Sequence, residues 1–157
     1  MTNTLKTLIA GAALAAGLAA IPVASFAGEC PADAAGVDVR EAVDIEAVGV
    51  TDTVLASIPL SETTLELDDR TMRVRRLTVE PGGIVPWHSH GDRPALIVIT
   101  KGEINEYAST CAAPITHVAG DVSRETINTS HWWKNLGTEQ VELYSFDILH
   151  DETDHNM

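Results

Sequence analysis

Cations and cysteines are both scarce in this sequence of 157 residues. It has 10 Lys and Arg against 23 Asp and Glu, which gives a formal net charge of −13. Such an excess of negative charge repels phosphate backbones and anionic lipid headgroups, so nucleic acid and lipid surfaces are excluded as partners. The two cysteines are too few for a multi-disulfide framework, and one hydrophobic core has to stabilise the folded chain.

Helical patterns are missing as well. After residue 28 no segment keeps a helical period over three turns, and there is no internal repeat or low-complexity tract. Instead, turn signals such as Pro81-Gly82-Gly83 separate short runs rich in β-branched residues. We predict strands in the four clearest runs, at residues 73–79, 96–100, 115–118 and 141–148. Many short strands at this spacing predict an all-β sandwich or barrel.

The long apolar run lies at the N-terminus. Lys6 precedes LIAGAALAAGLAAIPVA, which ends in Ser25-Phe26-Ala27, the pattern of a secretory signal peptide cleaved after Ala27. A permanent membrane anchor stays open as the weaker alternative. No twin arginine precedes the run, so we expect export of an unfolded chain to the periplasm or beyond, without stable membrane insertion. The expected organisation is a signal peptide (1–27), an N-terminal arm (28–52), a single β-domain (53–149) and an acidic tail (150–157).

The expected export determines the oxidation state that we predict for the two cysteines. In an oxidising compartment Cys30 and Cys111 are expected to form one disulfide that ties the N-terminal arm to a loop of the domain. Two free thiols are the alternative.

Three of the six histidines have the spacing of metal ligands. His88 and His90 are two residues apart in an extended segment, so their side chains project from the same face. A third ligand has to come from a distant strand, and His131 is the candidate. Three imidazoles suit a divalent transition metal such as Fe, Zn, Cu or Mn. The alternative is that these histidines only pack the interior of a barrel that holds no metal.

The three histidines lie in two motifs that resemble those of the cupins. The first motif is present as Gly82, five residues, His88-Ser89-His90, four residues, Ala95, six residues and Gly102. The second has Gly120, His131 and Asn135 at the family's spacing, with Thr126 and Asn128 in place of its proline and glycine. The resemblance covers residues 73–148. It implies a cupin barrel, that is a double-stranded β-helix or jelly roll, over residues 53–149.

Ala95 stands where most metal-binding cupins supply a glutamate ligand. The expected ligand set is therefore three neutral imidazoles. That set resembles the three-histidine cupin dioxygenases, which use ferrous iron and act on gentisate, thiols or β-diketones, and it equally resembles a plain zinc or copper site. The resemblance implies an exported, metal-dependent dioxygenase acting on a small molecule. The alternative is a non-catalytic periplasmic protein that binds a metal or a small ligand.

Four residues are candidates for substrate binding: Trp133, Arg73, Arg75 and Ala95. Trp133 shares the strand parity of His131 and should face the same cavity, although filling the barrel is an equal alternative. Ala95 leaves room for a ligand.

Arg73 and Arg75 alternate on a strand face that otherwise looks buried, and a buried arginine needs an acceptor. That acceptor is either a substrate carboxylate or a protein acid such as Glu80 or Glu106, unless the strand end is open to solvent.

The remaining ionisable residues have simpler expectations. Asp92 is within loop reach of the metal but is expected to be a solvated turn acid. His117, His150 and His155 have no partner at ligand spacing and are expected on the surface. A homodimer stays open.

Overall fold

A computed structural model describes residues 28–150. The predicted signal peptide and residues 151–157 of the predicted tail lie outside the described residues. From residue 28 to residue 150 the chain forms, in order, β1 (Val48–Pro59), a 3-10 turn (Leu60–Glu62), β2 (Thr71–Ser89), β3 (Ala95–Lys101), β4 (Glu103–Ala108), β5 (Ile115–Val118), β6 (Val122–Glu125), β7 (Ser130–Lys134) and β8 (Val141–Leu149). In that part of the chain, no helix has the length and apolar character needed to cross a membrane.

The strands form one curved, antiparallel sheet. Its order is β5-β4-β7-β2-β8-β3-β6, and β1 is paired to β2 beside this path. Strands β5 and β6 are neighbours in sequence but stand at opposite ends of the order, so the sheet rolls into a nearly closed barrel. This architecture confirms the predicted all-β barrel.

Strand β2 belongs to both halves of the barrel. Its residues 71–79 pair with β8, and its residues 84–89 pair with β7. Between them the strand bends at Gly82 and Gly83, where the sequence predicts a turn. Gly82 has a φ of +77°, which favours glycine, and a Cβ on Gly83 would lie 2.7 Å from the carbonyl oxygen of Glu80. The predicted turn is therefore a bend within one continuous strand.

Side chains alternate between the barrel interior and the outside. Every second residue is buried along β3 to β8 and over much of β2, as expected of strands with one face on a core. The core draws on both halves of the barrel and consists of Leu77, Val79, Val85, Ala95, Ile97, Ile99, Ile104, Trp133, Val141 and Leu143. The same inner face carries the polar residues described below.

The four predicted strands coincide with β2, β3, β5 and β8, with differences at their ends. Strand β1 begins at Val48, within the segment 28–52 assigned to the arm. Nearly all of its residues are exposed, and only Val50 is half-buried. A strand that is held by pairing to β2 and has no buried face shows no hydrophobic alternation, which is why the sequence pattern does not reveal it.

The N-terminal arm is fastened to the loop between β4 and β5 by a disulfide, by Arg40 and by backbone hydrogen bonds. Cys30 and Cys111 form a disulfide, which confirms that prediction. Arg40 donates from Nη2 to the carbonyl oxygen of Ala112 at 2.9 Å, and its guanidinium lies 5.3 Å from the ring centroid of Tyr107. A segment with little regular secondary structure is thus held on the barrel by covalent and polar contacts.

Candidate metal centre

The three predicted metal ligands converge on one point inside the barrel. His88 on β2 and His131 on β7 are direct partners across the sheet, and His90 follows the end of β2. Their Nε2 atoms form a triangle with sides of 3.0–3.1 Å. One ion at about 2.0–2.2 Å from each nitrogen fits such a triangle. All three side chains are buried.

Each imidazole is held in place through its other ring nitrogen. Nδ1 of His88 lies 2.9 Å from the carbonyl oxygen two residues earlier, and Nδ1 of His90 lies 2.8 Å from that of Arg93. Nδ1 of His131 lies 2.7 Å from Oε1 of Glu106. Because these oxygens accept hydrogen bonds, each Nδ1 carries the proton and donates, which leaves the Nε2 lone pair for a metal.

A buried carboxylate and a fourth histidine lie behind His131. Oε1 of Glu106 accepts from His131, and its Oε2 accepts from Nε2 of His117 at 2.8 Å. His117 is fully buried, not on the surface as predicted. The physical reason is that it faces inward on β5, where Glu106 provides its hydrogen-bond partner.

The sequence carried a signal for both residues. Glu106 alternates with the buried Ile104 and Ala108 on β4, and His117 has the parity of the buried Ile115 on β5. A polar residue in an apolar alternation is expected to face the interior. What the alternation did not reveal is the pairing of β4 with both β5 and β7, which brings these side chains to the third histidine.

A second carboxylate, Glu125 on β6, lies on the same side of His131. Its Oε2 is 3.5 Å from Nδ1 of His131, and Glu106, Glu125 and His131 form a second cluster with metal-binding spacing. In that cluster His131 would have to offer Nδ1, which already donates to Glu106. We therefore assign both carboxylates to the support of His131 and not to the metal.

The protonation states of the three ligands differ. Burial lowers the pKa of His88 well below its ordinary value, and the neighbouring His131 adds to the effect. Burial and His131 also lower the pKa of His90 to about 4. Burial disfavours charged His131 too, but the charge of Glu125 and the hydrogen bond to Glu106 outweigh it and raise its pKa. His88 and His90 are thus neutral at physiological pH, the form that binds a metal.

The pKa values of the two carboxylates behind His131 are shifted in opposite directions. Burial opposes the ionisation of Glu106, but hydrogen bonds from His117 and His131 lower its pKa to about 2. Burial raises the pKa of Glu125, against the attraction of His131. Glu106 is therefore an anion over the whole physiological pH range.

Arg73 and Arg75 have a protein partner that the sequence did not predict. Arg73 donates from Nε and Nη2 to the two carboxylate oxygens of Asp147, at 2.8 and 2.9 Å. Nη2 of Arg75 lies 3.2 Å from Oδ2 of the same residue. The proposal of Glu80 or Glu106 as the partner is wrong, because the antiparallel register of β2 and β8 sets Asp147 directly opposite Arg73.

Ala95 lies in an inward-facing row between two carboxylates. Its partner on β8 is Asp147, and its partner on β6 is Glu125. All three residues are buried. Within residues 28–150, neither carboxylate joins the three histidines in a cluster with metal-binding spacing.

A small cavity opens beside His88 and His90. Its volume is about 20 Å³, which holds little more than one group the size of a water molecule. Trp133 lines it, and its ring lies edge-on to that of His131 at 5.3 Å between centroids. The other lining residues are Arg75, Leu77, Val85, Ile97, Leu143 and Ser145. Two of the four substrate candidates, Trp133 and Arg75, therefore face the cavity.

Asp92 lies apart from this centre. Its side chain is 59% exposed and pairs with Arg70 at 2.9 Å, and this hydrogen bond lowers its pKa. His150 also pairs with it. These contacts agree with a turn acid on the surface.

No protein-family model matches the sequence, and a search of curated proteins finds no similar sequence. The solved structures that resemble this chain include KdgF from Halomonas sp., with 15% identity and a TM-score of 0.51 over 73% of this chain and 90% of that one. The cupin domain of Cnp3 from Schizosaccharomyces pombe has 15% identity and a TM-score of 0.50, over 68% of this chain and 65% of that one.

A predicted oxalate decarboxylase from Thermotoga maritima is 26% identical over 49% of this chain and 65% of its own, with a TM-score of 0.45. This chain thus spans less than two thirds of the length of the decarboxylase and Cnp3 chains. At these distances the shared property is the fold. The described part of the chain has the cupin fold, a double-stranded β-helix of antiparallel strands.

Proposed function

We propose that this chain binds one divalent transition metal ion through His88, His90 and His131 and uses it to convert a small molecule. The observation that carries the proposal is the orientation of the three rings. Every Nδ1 faces an acceptor, so the three Nε2 atoms point at one another across 3.0–3.1 Å, and the neutral His88 and His90 both direct lone pairs to the point where they meet. Two lone pairs directed at one point favour a cation there, and three imidazoles at ligand spacing suit a divalent metal ion.

The reaction class we propose is oxidation by molecular oxygen, with both oxygen atoms entering the product, as in the three-histidine cupin dioxygenases. Three neutral protein ligands leave open positions on an ion of the Fe, Zn, Cu or Mn type. A bound ion supplies Lewis acidity and a template for a small molecule. The protein holds the three rings rigidly through their Nδ1 atoms, and Trp133 with the apolar cavity wall limits both the access of water and the size of the substrate.

We also propose that the protein works in the periplasm or outside the cell. The disulfide between Cys30 and Cys111 supports this location, because structural disulfides persist in oxidising compartments.

A non-catalytic, metal-binding role is the second candidate function. The composition of the cavity lining favours it. Within residues 28–150, the residues that line the cavity include no carboxylate, and its only histidines are His88 and His90. A reaction that needs a separate general base therefore has no obvious base there.

The first experiment tests the metal site. We expect His88→Ala, His90→Ala and His131→Ala each to weaken zinc binding by more than about 100-fold, since loss of a ligand should cost more than loss of a group that only orients one. Zinc affinity is measured by competition with a chromophoric chelator. His150→Ala, which removes a surface histidine, is the control and should bind zinc like the wild type. Wild-type affinity in any of the three variants would remove that residue from the site.

A further inference from the structure

Two buried polar atoms of the cavity wall lack a hydrogen-bond partner within residues 28–150. They are Oγ of Ser145 and Nε of Arg75. Ser145 is 2% exposed and Arg75 is 5% exposed. Leaving a buried donor without an acceptor costs stability, so a pair of such donors in one cavity is a feature to be explained.

The strand register sets the two donors side by side. Arg75 on β2 and Ser145 on β8 are direct partners in the antiparallel ladder, and side chains at such positions are neighbours on one face of the sheet. Both residues line the cavity that also exposes His88 and His90. The two donors and the histidine cluster therefore face one small space.

The rest of the Arg75 side chain is already engaged. Its Nη1 donates to Asp52, and its Nη2 lies 3.2 Å from Asp147. These two pairs engage both terminal nitrogens of the guanidinium, and Nε–H has no acceptor among the described residues. An Nε–H group is a donor only, and the Ser145 hydroxyl can donate beside it, so the partner that satisfies both is an oxygen acceptor.

We propose that Arg75 and Ser145 form a binding site for the carboxylate of a short-chain organic acid, held beside the metal. This inference rests on the proposed function, because none of the three imidazoles brings a negative charge into contact with the ion, which favours an anionic ligand over a neutral one. The cavity of about 20 Å³ has room for little more than one water-sized group, so only the carboxylate end of a very small acid can enter it. The apolar neighbours Leu77, Ile97 and Leu143 offer no other hydrogen-bonding group to such a ligand.

The test is a titration with acetate, followed by two-dimensional NMR of the amides, in the zinc-loaded and in the metal-free protein. The variants are Ser145→Ala and Arg75→Lys, and the control is Ser109→Ala, which removes a buried serine that does not line the cavity. Acetamide serves as the neutral analogue of acetate. Zinc binding is measured separately in every variant.

We expect acetate to bind the zinc-loaded wild type more tightly than acetamide does. Ser145→Ala should weaken acetate binding by about tenfold or more, the effect of losing a hydrogen bond to a charged group, with zinc affinity unchanged. Its melting temperature without ligand should not fall, because the lost hydroxyl has no partner in the protein. A purely structural serine would show the opposite pattern.

Acetate affinity that is unchanged in both Ser145→Ala and Arg75→Lys would overturn the inference. Failure of the proposed function is distinguishable, since it would appear as no zinc binding by the wild type. The metal-free titration still decides the inference in that case, because both donors are present without the ion: dependence on Ser145 supports it, and independence refutes it.

Discussion

At the scale of single residues, the three histidines include no anionic ligand, but a carboxylate is hydrogen-bonded to one of them. Ala95 brings no charge to the metal, but Glu106 places a carboxylate 2.7 Å from Nδ1 of His131. A hydrogen bond from a ligand histidine to a carboxylate raises the basicity of the ligand and fixes its orientation. Glu106 is in turn held by His117, so the His131 ring is positioned by a buried pair.

Glu106→Gln should therefore lower the affinity for zinc by about 10–100-fold. Glutamine keeps the size of the side chain and an acceptor oxygen, but it removes the negative charge behind His131. Chelator competition measures the affinity, and the melting temperature of the metal-free protein shows whether the fold is intact. Glu103→Gln changes an exposed acid on the same strand and is the matched control. Equal affinities in the two variants would show that the charge of Glu106 has no role in metal binding.

At the scale of elements, the N-terminal arm depends on contacts that no periodicity encodes. The disulfide closes a loop with a sequence separation of 81 residues, and a loop of that length is expected to destabilise the unfolded state strongly. Arg40 and several backbone hydrogen bonds attach the arm to the same loop. The arm is thereby held against the second, smaller hydrophobic cluster around Cys111.

The double variant Cys30→Ala/Cys111→Ala should lose about 3–5 kcal/mol of unfolding free energy relative to the oxidised wild type. Urea unfolding followed by tryptophan fluorescence measures the difference. The reduced wild type is the control and should resemble the variant, since it lacks the same cross-link. If all three proteins unfold at one urea concentration, the disulfide does not contribute to stability.

At the scale of the whole molecule, the proposed set of three histidine ligands predicts which metal the protein would acquire. Three imidazoles without a carboxylate follow the usual order of affinity, in which manganese and ferrous iron bind less tightly than copper and zinc. Asp92 does not change this order, because it is exposed and paired with Arg70.

We expect protein isolated from the periplasm to contain mainly zinc or copper, measured by elemental analysis. An oxygenase activity would then require anaerobic reconstitution with ferrous iron, followed by measurement of oxygen uptake. Protein prepared from the His131→Ala variant controls for metal bound elsewhere. Stoichiometric iron or manganese in the untreated protein would contradict the prediction.

The sequence predicted the parts of the molecule that depend on spacing along one strand. This spacing predicted that His88 and His90 lie together and that Trp133 faces inward. It also predicted four of the eight strands. Asp147 and Glu106 were not, because their partners lie 74 and 25 residues away in sequence and meet them only through the strand order. The role of Ser145 was not predictable for the same reason. Ser145 becomes a candidate only when the structure shows that it lies opposite Arg75 in the pairing of β8 with β2.

The position of β8 has a consequence for how the chain reaches its folded state. This strand is the last of the described strands to be synthesised, yet it lies between β2 and β3 and pairs with both. A nascent chain that has not reached residue 141 lacks the strand that joins its first half to its second. Closure of the barrel is therefore a late step in folding, because it requires the last of the described strands.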